Sequence, residues 1–332
     1  MMTLETATRF KRLGIITIAA IYFLILVGGI VRASGAGMGC PDWPTCFGQW
    51  VPPTDESQLP PNYHEIYAQR GYKDTQFNPV KTWTEYLNRL TGVSIGILIF
   101  LTAYASRVYR QTDKTVFYLA VAAFFLVGFQ GWLGSAVVAS HLKPVVITLH
   151  MLLAFIIVIM LVYAIVRSQR DFIQPVDVGL LPDKFKTVLS VAIGMTLLQI
   201  LMGTQIRETV DFMANETSLE RRIWRESFPI IFYVHRSFSS VILFTNAWLV
   251  WKLWQTLKEQ SLFLCKLGAG LMVLIVTAIL AGISLDRLGM PVVAQPVHLL
   301  MANLIFGAQF FLYFFLAYAK RNRIVSANTR LA

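Results

Sequence analysis

Eight long stretches of this chain contain no Asp, Glu, Lys or Arg: Leu13–Val31, Leu90–Ser106, Thr115–Ser140, Pro144–Val166, Thr187–Ile206, Ser237–Trp251, Leu267–Leu285 and Leu288–Ala319. A helix needs roughly 17–25 residues to cross hydrocarbon, and each run is close to or above that length. The shortest, Ser237–Trp251, extends backward through His235 and Arg236 toward Phe228. A segment in lipid must satisfy its own backbone hydrogen bonds, so each run is expected to be helical. The pattern predicts an all-α integral membrane protein with eight transmembrane helices. Arg9, Lys11 and Arg12 precede the first run, but it is too long for a signal-peptide core and no small-residue cleavage site ends it. It is read as a retained helix.

Charged residues make up only 14% of the chain, against roughly 25% in soluble domains. With the amino terminus placed inside, the inner ends and loops hold the whole excess of +11, as 17 basic residues against 6 acidic. Arg321, Arg323 and Arg330 are among the 17. The outer side balances at 12 and 12. This is the positive-inside pattern, and it predicts an N-in/C-in topology. Topology accounts for the basic balance, so no nucleic acid is expected as a partner.

The chain also repeats itself. Asn88-Arg89 opens the second helix and His150 lies near the start of the fourth; His235-Arg236 opens the sixth and His298 lies near the start of the eighth. Pro144-Val145-Val146 precedes His150, as Pro291-Val292-Val293 precedes His298. Gly131, Gly134 and Ser135 correspond to Ala281, Gly282 and Ser284, small residues suited to close helix packing. The prediction is two pseudo-symmetric four-helix bundles, 1–166 and 187–332, joined by a cytoplasmic linker, 167–186. A long outer loop, 33–83, interrupts the first.

Ionisable groups inside membrane helices are costly and mark functional sites. The even-numbered helices run in one direction, so His150, His235 and His298 share a depth near the outer surface. A lone histidine at a helix end is more often a hydrogen-bonded interfacial residue. The matched spacing favours more: His235 and His298 suit the two axial positions of a haem iron in a four-helix bundle. At the position of His235 the first half carries Asn88, a poor iron ligand, which leaves His150 able to hold a haem with one axial position open. Glu85 lies one turn before Asn88 and could move protons at a haem edge, or be an interfacial residue paired with Lys81 or Arg89. Arg89, Arg236, Arg32 and Arg207 could pair with haem propionates or anchor the helices at the interface. His64 and His141 are expected in solvent. Cys40 and Cys46, in the outer loop, suit a structural or switchable disulfide, with a redox-active or metal-binding pair as the alternative. Cys265 reads as a buried thiol.

Taken together, Gly28-Gly29-Ile30-Val31-Arg32, the loop Gly39-Cys40-Pro41-Asp42-Trp43-Pro44-Thr45-Cys46, the segment Glu85-Tyr86-Leu87-Asn88-Arg89 and the histidines of helices 4, 6 and 8 resemble the haem A synthase family. The likeness covers nearly the whole chain. It implies an oxidoreductase that converts haem O to haem A by oxidising the C8 methyl to a formyl group through successive hydroxylations, for use by cytochrome oxidase. It implies haem b as cofactor on His235 and His298, with haem O as substrate in the first half beside Glu85 and Asn88. It matches Cys40 and Cys46 to the family's outer cysteine pair. The family pattern has histidine where this chain has Asn88. That leaves three readings of the first half: an open catalytic haem, ligation by His150 alone, or an altered activity. The expected setting is the bacterial cytoplasmic (inner) membrane, multi-pass, with the site near the outer face. Expected partners are haem O and haem A, membrane lipid, haem O synthase, cytochrome oxidase and a second copy of the chain. The competing functions are a membrane b-type cytochrome that passes electrons without modifying haem, and a haem carrier or oxidase assembly factor.

Overall fold

Eight long helices carry the structure: α1 (Leu4–Ala33), α2 (Pro79–Ala105), α3 (Lys114–Ala139), α4 (Pro144–Ser168), α5 (Phe185–Glu216), α6 (Ile230–Leu257), α7 (Leu262–Arg287) and α8 (Ala294–Tyr318). They come from a computed structural model that describes residues 4–174, 176–216, 224 and 228–320. Arg321, Arg323 and Arg330 lie outside the described residues. Local chemistry sets several starts. Asn78 accepts the Lys81 N–H and Pro79 takes the first turn of α2. Asp113 and Ser261 cap α3 and α7 in the same way.

Seven of these helices are long and apolar enough to cross a membrane, so the chain is a multi-pass helical membrane protein. The other, α6, has 28 residues, but His235, Arg236, Ser237, Ser239, Ser240 and Asn246 dilute its hydropathy. Several helix ends depart from the charge-free runs, and two of these departures have a clear local cause. Helix α2 begins eleven residues before its run, because Glu85 and Arg89 satisfy each other on the helix. Helix α8 begins six residues into its run, because Gly289 and Met290 turn the chain with φ of 66° and 59° before Pro291.

Packing forms two closed rings. Helices α1–α4 touch in order and α1 meets α4; α5–α8 touch in order and α8 meets α5. The rings join where α8 lies against α1 and α4, and where α4 meets α5. Phe155 and Phe306 pack there with ring centroids 5.1 Å apart. At Gly29 a Cβ would lie 3.0 Å from Pro296, and the Tyr22 hydroxyl sits directly on Gly307. The ends remote from the histidines are tied by buried Asp113, which accepts from Arg167 Nε at 2.8 and 2.9 Å and from Arg170 at 3.0 Å. Arg167 also donates to the Tyr318 hydroxyl at 3.1 Å, which links α4 to α8.

Candidate functional site

One glycine on each odd-numbered helix faces the key residue of the next helix. A Cβ built on Gly134 would lie 3.3 Å from His150 Cε1, on Gly203 3.5 Å from His235 Cε1, and on Gly282 3.3 Å from His298 Cε1. In the fourth instance Gly28 faces Asn88, with Oδ1 at 3.9 Å. The pattern extends one turn back. Gln130 and Gln199, each four residues before its glycine, donate to the backbone carbonyls of His150 and His235 at 2.8 and 2.9 Å. In the last case the Ala278 carbonyl, four residues before Gly282, lies 2.8 Å from His298 Nδ1.

The second ring brings His235 and His298 together, with centroids 6.2 Å apart and planes at 61°. An iron midway between two imidazoles, bonded at about 2 Å to each, sets ring centroids roughly 6 Å apart. The pair therefore fits the axial ligand set of a haem. A carbonyl can only accept, so His298 Nδ1 carries its proton and Nε2 keeps the lone pair that a metal needs. Among the described residues, buried His235 Nδ1, His150 Nδ1 and Asn88 Oδ1 have no hydrogen-bond partner. The same Gly-backed arrangement in the first ring presents one imidazole and one amide.

The loop between α1 and α2 closes over the start of α2. It folds around Phe47, whose ring is met edge-on by Tyr63, Tyr67, Tyr72 and Phe77. Cys40 and Cys46 are joined as a disulfide, which bears out that expectation. Gly39 is pressed onto the backbone at Lys81, where no side chain fits, and its carbonyl accepts from Thr82 and Tyr72 at 2.8 and 3.0 Å. Burial pushes the Tyr72 phenol up, with the charge of Glu85 adding to it, so Tyr72 stays a donor. Glu85 is buried: Oε2 accepts the Cys40 N–H at 2.8 Å, and Oε1 is bound by Arg89 at 2.5 Å. Arg89 also donates to the carbonyls of Asp42 (2.7 Å), Thr45 (3.0 Å) and Cys40 (3.3 Å). Of the two readings of Glu85, the structure contains the pairing with Arg89. Arg89 holds the loop.

The other arginines divide. Arg236 is half-exposed, 3.8 Å from Asp286 and over the Tyr233 ring. Arg32 and Arg207 meet on Asp211, and Arg207 also bonds Gln295. His141 is exposed as expected, whereas His64 is half-buried against Tyr63 with Nδ1 2.8 Å from the Tyr72 carbonyl. Cys265 is a fully buried free thiol.

Comparison with known proteins decides the family. The profile of the COX15-CtaA family, described as cytochrome oxidase assembly protein, matches residues 11–310. This chain belongs to the COX15-CtaA family. Among its relatives, the haem A synthase of Shewanella oneidensis is 30% identical over 190 residues, 57% of this chain and 54% of that protein. That of Shouchella clausii is 32% identical over 142 residues, 42% of this chain and 39% of that protein. The chain thus spans about half the length, or less, of these two curated relatives. The haem A synthase of Rickettsia prowazekii is matched over 89% of this chain and 94% of its own length at 21% identity.

For a COX15-CtaA protein read from sequence alone, Gly203, Gln130, Gln199, Asp211 and Gln295 were the residues missed, while Gly28 was seen only as part of a motif and not as the residue backing Asn88. A signal was present: Gly28-x-x-x-Arg32 recurs as Gly203-x-x-x-Arg207, and Gln130-x-x-x-Gly134 as Gln199-x-x-x-Gly203.

Proposed function

We propose that this protein is a haem A synthase that oxidises the C8 methyl of haem O to a formyl group by successive hydroxylations. In this reading the two rings are the two functional halves, residues 1–166 and 187–332, and all eight long helices cross the bacterial cytoplasmic membrane with both termini inside. The histidine-bearing ends then face outward. The observation that carries the reading is the His235–His298 pair, 6.2 Å apart and each backed by a glycine, together with its imperfect copy at Asn88 and His150.

His235 and His298 would hold haem b, which would supply a one-electron centre in the second half. Ala278 fixes the tautomer of His298 through its carbonyl, and the glycines set how far each imidazole reaches. In the first half His150 would hold the substrate haem O. Asn88, at the position matching His235, would offer an amide that can hydrogen-bond but is a poor iron ligand. Glu85 sits one turn from Asn88, paired with Arg89. Through Cys40 and Arg89 the same carboxylate ties the disulfide loop over this end of the ring, which helps exclude water.

The test is co-expression with a haem O synthase in a host that lacks haem A, with the extracted haems identified by mass. Haem A, lost on Glu85→Ala or His150→Ala, supports the reading. If only haem B and haem O are recovered, with a bis-histidine spectrum that His298→Ala abolishes, the protein is an electron-passing cytochrome instead.

A further inference from the structure

Arg32 and Arg207 occupy the same place in the two rings, each four residues after the glycine that backs a site residue. One carboxylate joins them. Arg32 donates to Asp211 Oδ2, and Arg207 Nε lies 2.8 Å from Asp211 Oδ1. The second approach is off the N–H axis, so it is an ion pair rather than a hydrogen bond. Arg207 also donates to Gln295, three residues before His298. Helices α1, α5 and α8 meet at this point, on the seam between the rings. Two guanidiniums against one carboxylate leave a net positive charge, and most of their N–H donors remain available to further carboxylates.

We infer that Asp211 is a positioning residue that couples the two halves: it holds Arg32 for a carboxylate of the porphyrin in the first ring and Arg207 for one in the second. The inference rests on the two-haem reading above. Two arginines on one carboxylate cannot be perturbed independently. A carboxylate that draws on Arg32 weakens its hold on Asp211, which alters the charge felt at Arg207 and at the haem ligated by His298. Loss of the Asp211 charge would leave the second-half haem beside a more positive field. That disfavours its ferric state and raises its midpoint potential.

The experiment is a redox titration of the purified haem-loaded protein, followed at the bis-histidine absorption band, with and without zinc protoporphyrin. That probe carries two propionates and does not itself titrate; its dimethyl ester lacks the carboxylates. The expected result is a higher potential in Asp211→Asn than in wild type. Zinc protoporphyrin should shift the wild-type and Asp211→Glu potentials but not that of Asp211→Asn. The ester should give no shift and bind about tenfold more weakly, the loss of a charge-assisted hydrogen bond. Should Asp211→Asn fail to retain haem, Arg32→Gln serves, because it leaves the Arg207–Asp211 pair intact; it should lower the resting potential, the field now being less positive, and abolish the probe-induced shift. An Asp211→Asn or Arg32→Gln protein with wild-type potential and wild-type shift overturns the coupling. A wild-type protein without a bis-histidine spectrum overturns the two-haem reading instead, whatever Asp211 does.

Discussion

Valine in place of Gly282 adds a Cβ and two methyl groups where His298 Cε1 already stands 3.3 Å from the nearest possible side-chain atom. Overpacking of this kind costs about 1–3 kcal/mol, and the imidazole can yield more readily than two packed helix backbones. The expected outcome is a haem content several-fold below wild type in Gly282→Val, measured as haem per purified protein. Gly270→Val, on the same helix with nothing within 4 Å of its Cβ position, should keep full occupancy. Equal haem in both would mean that the glycine does not set the reach of His298. The sequence marked Gly131, Gly134 and Gly282 as small residues for helix packing. Gly131 meets nothing within 4 Å, while the other two face imidazoles. A glycine works through what it lacks, so its partner becomes visible only when the neighbouring helix is in place. The histidines were legible for the opposite reason: a polar ring in an apolar run needs an explanation wherever it lands.

Between helix α2 and the loop that precedes it, stability depends on one arginine. Arg89→Ala strips three loop carbonyls of their donor and leaves Glu85, 4% exposed, with the Cys40 N–H as its remaining bond from that set. Removing one partner of a buried ion pair costs about 3–5 kcal/mol, largely because the other charge is left uncompensated. Arg89→Ala should therefore speed proteolysis within the segment Trp50–Leu59. Adding Glu85→Gln should recover part of the loss, because the stranded charge is then gone. Unchanged cleavage in Arg89→Ala would show that the disulfide and the Phe47 cluster hold the loop unaided. Spacing alone offered Lys81 or Arg89, each four residues away, as the partner of Glu85. It could not show that Arg89 turns to carbonyls of Cys40, Asp42 and Thr45, because backbone carbonyls leave no mark in a sequence. The long helices themselves were legible, since absence of charge over a membrane's thickness leaves the backbone few alternatives. Their ends were less so: where paired charges or a positive-φ turn intervene, as at α2 and α8, the charge-free run and the helix part company.

At the scale of the whole molecule, each ring closes on itself, and the seam between them is narrow enough to be read atom by atom. The second ring closes through α5 and α8 without help from α1, so loosening α1 should weaken the assembly of the rings and leave the His235–His298 pair in place. Gly307 offers a way to do this, because the Tyr22 hydroxyl of α1 occupies the space a side chain at 307 would need. Gly307→Ala should lower the thermal midpoint of the detergent-solubilised protein, in line with an overpacking cost of about 1–3 kcal/mol, without loss of the bis-histidine spectrum. The obstructing group is the hydroxyl, so Tyr22→Phe in the same chain should restore most of the lost stability, although Tyr22→Phe alone gains nothing of that size. Such non-additivity is the mark of direct contact in a double-mutant cycle. If the two effects simply add, α1 and α8 do not meet at these residues. If the spectrum is lost along with stability, the second ring depends on the first, and the half that carries His235 and His298 cannot be treated as closing independently.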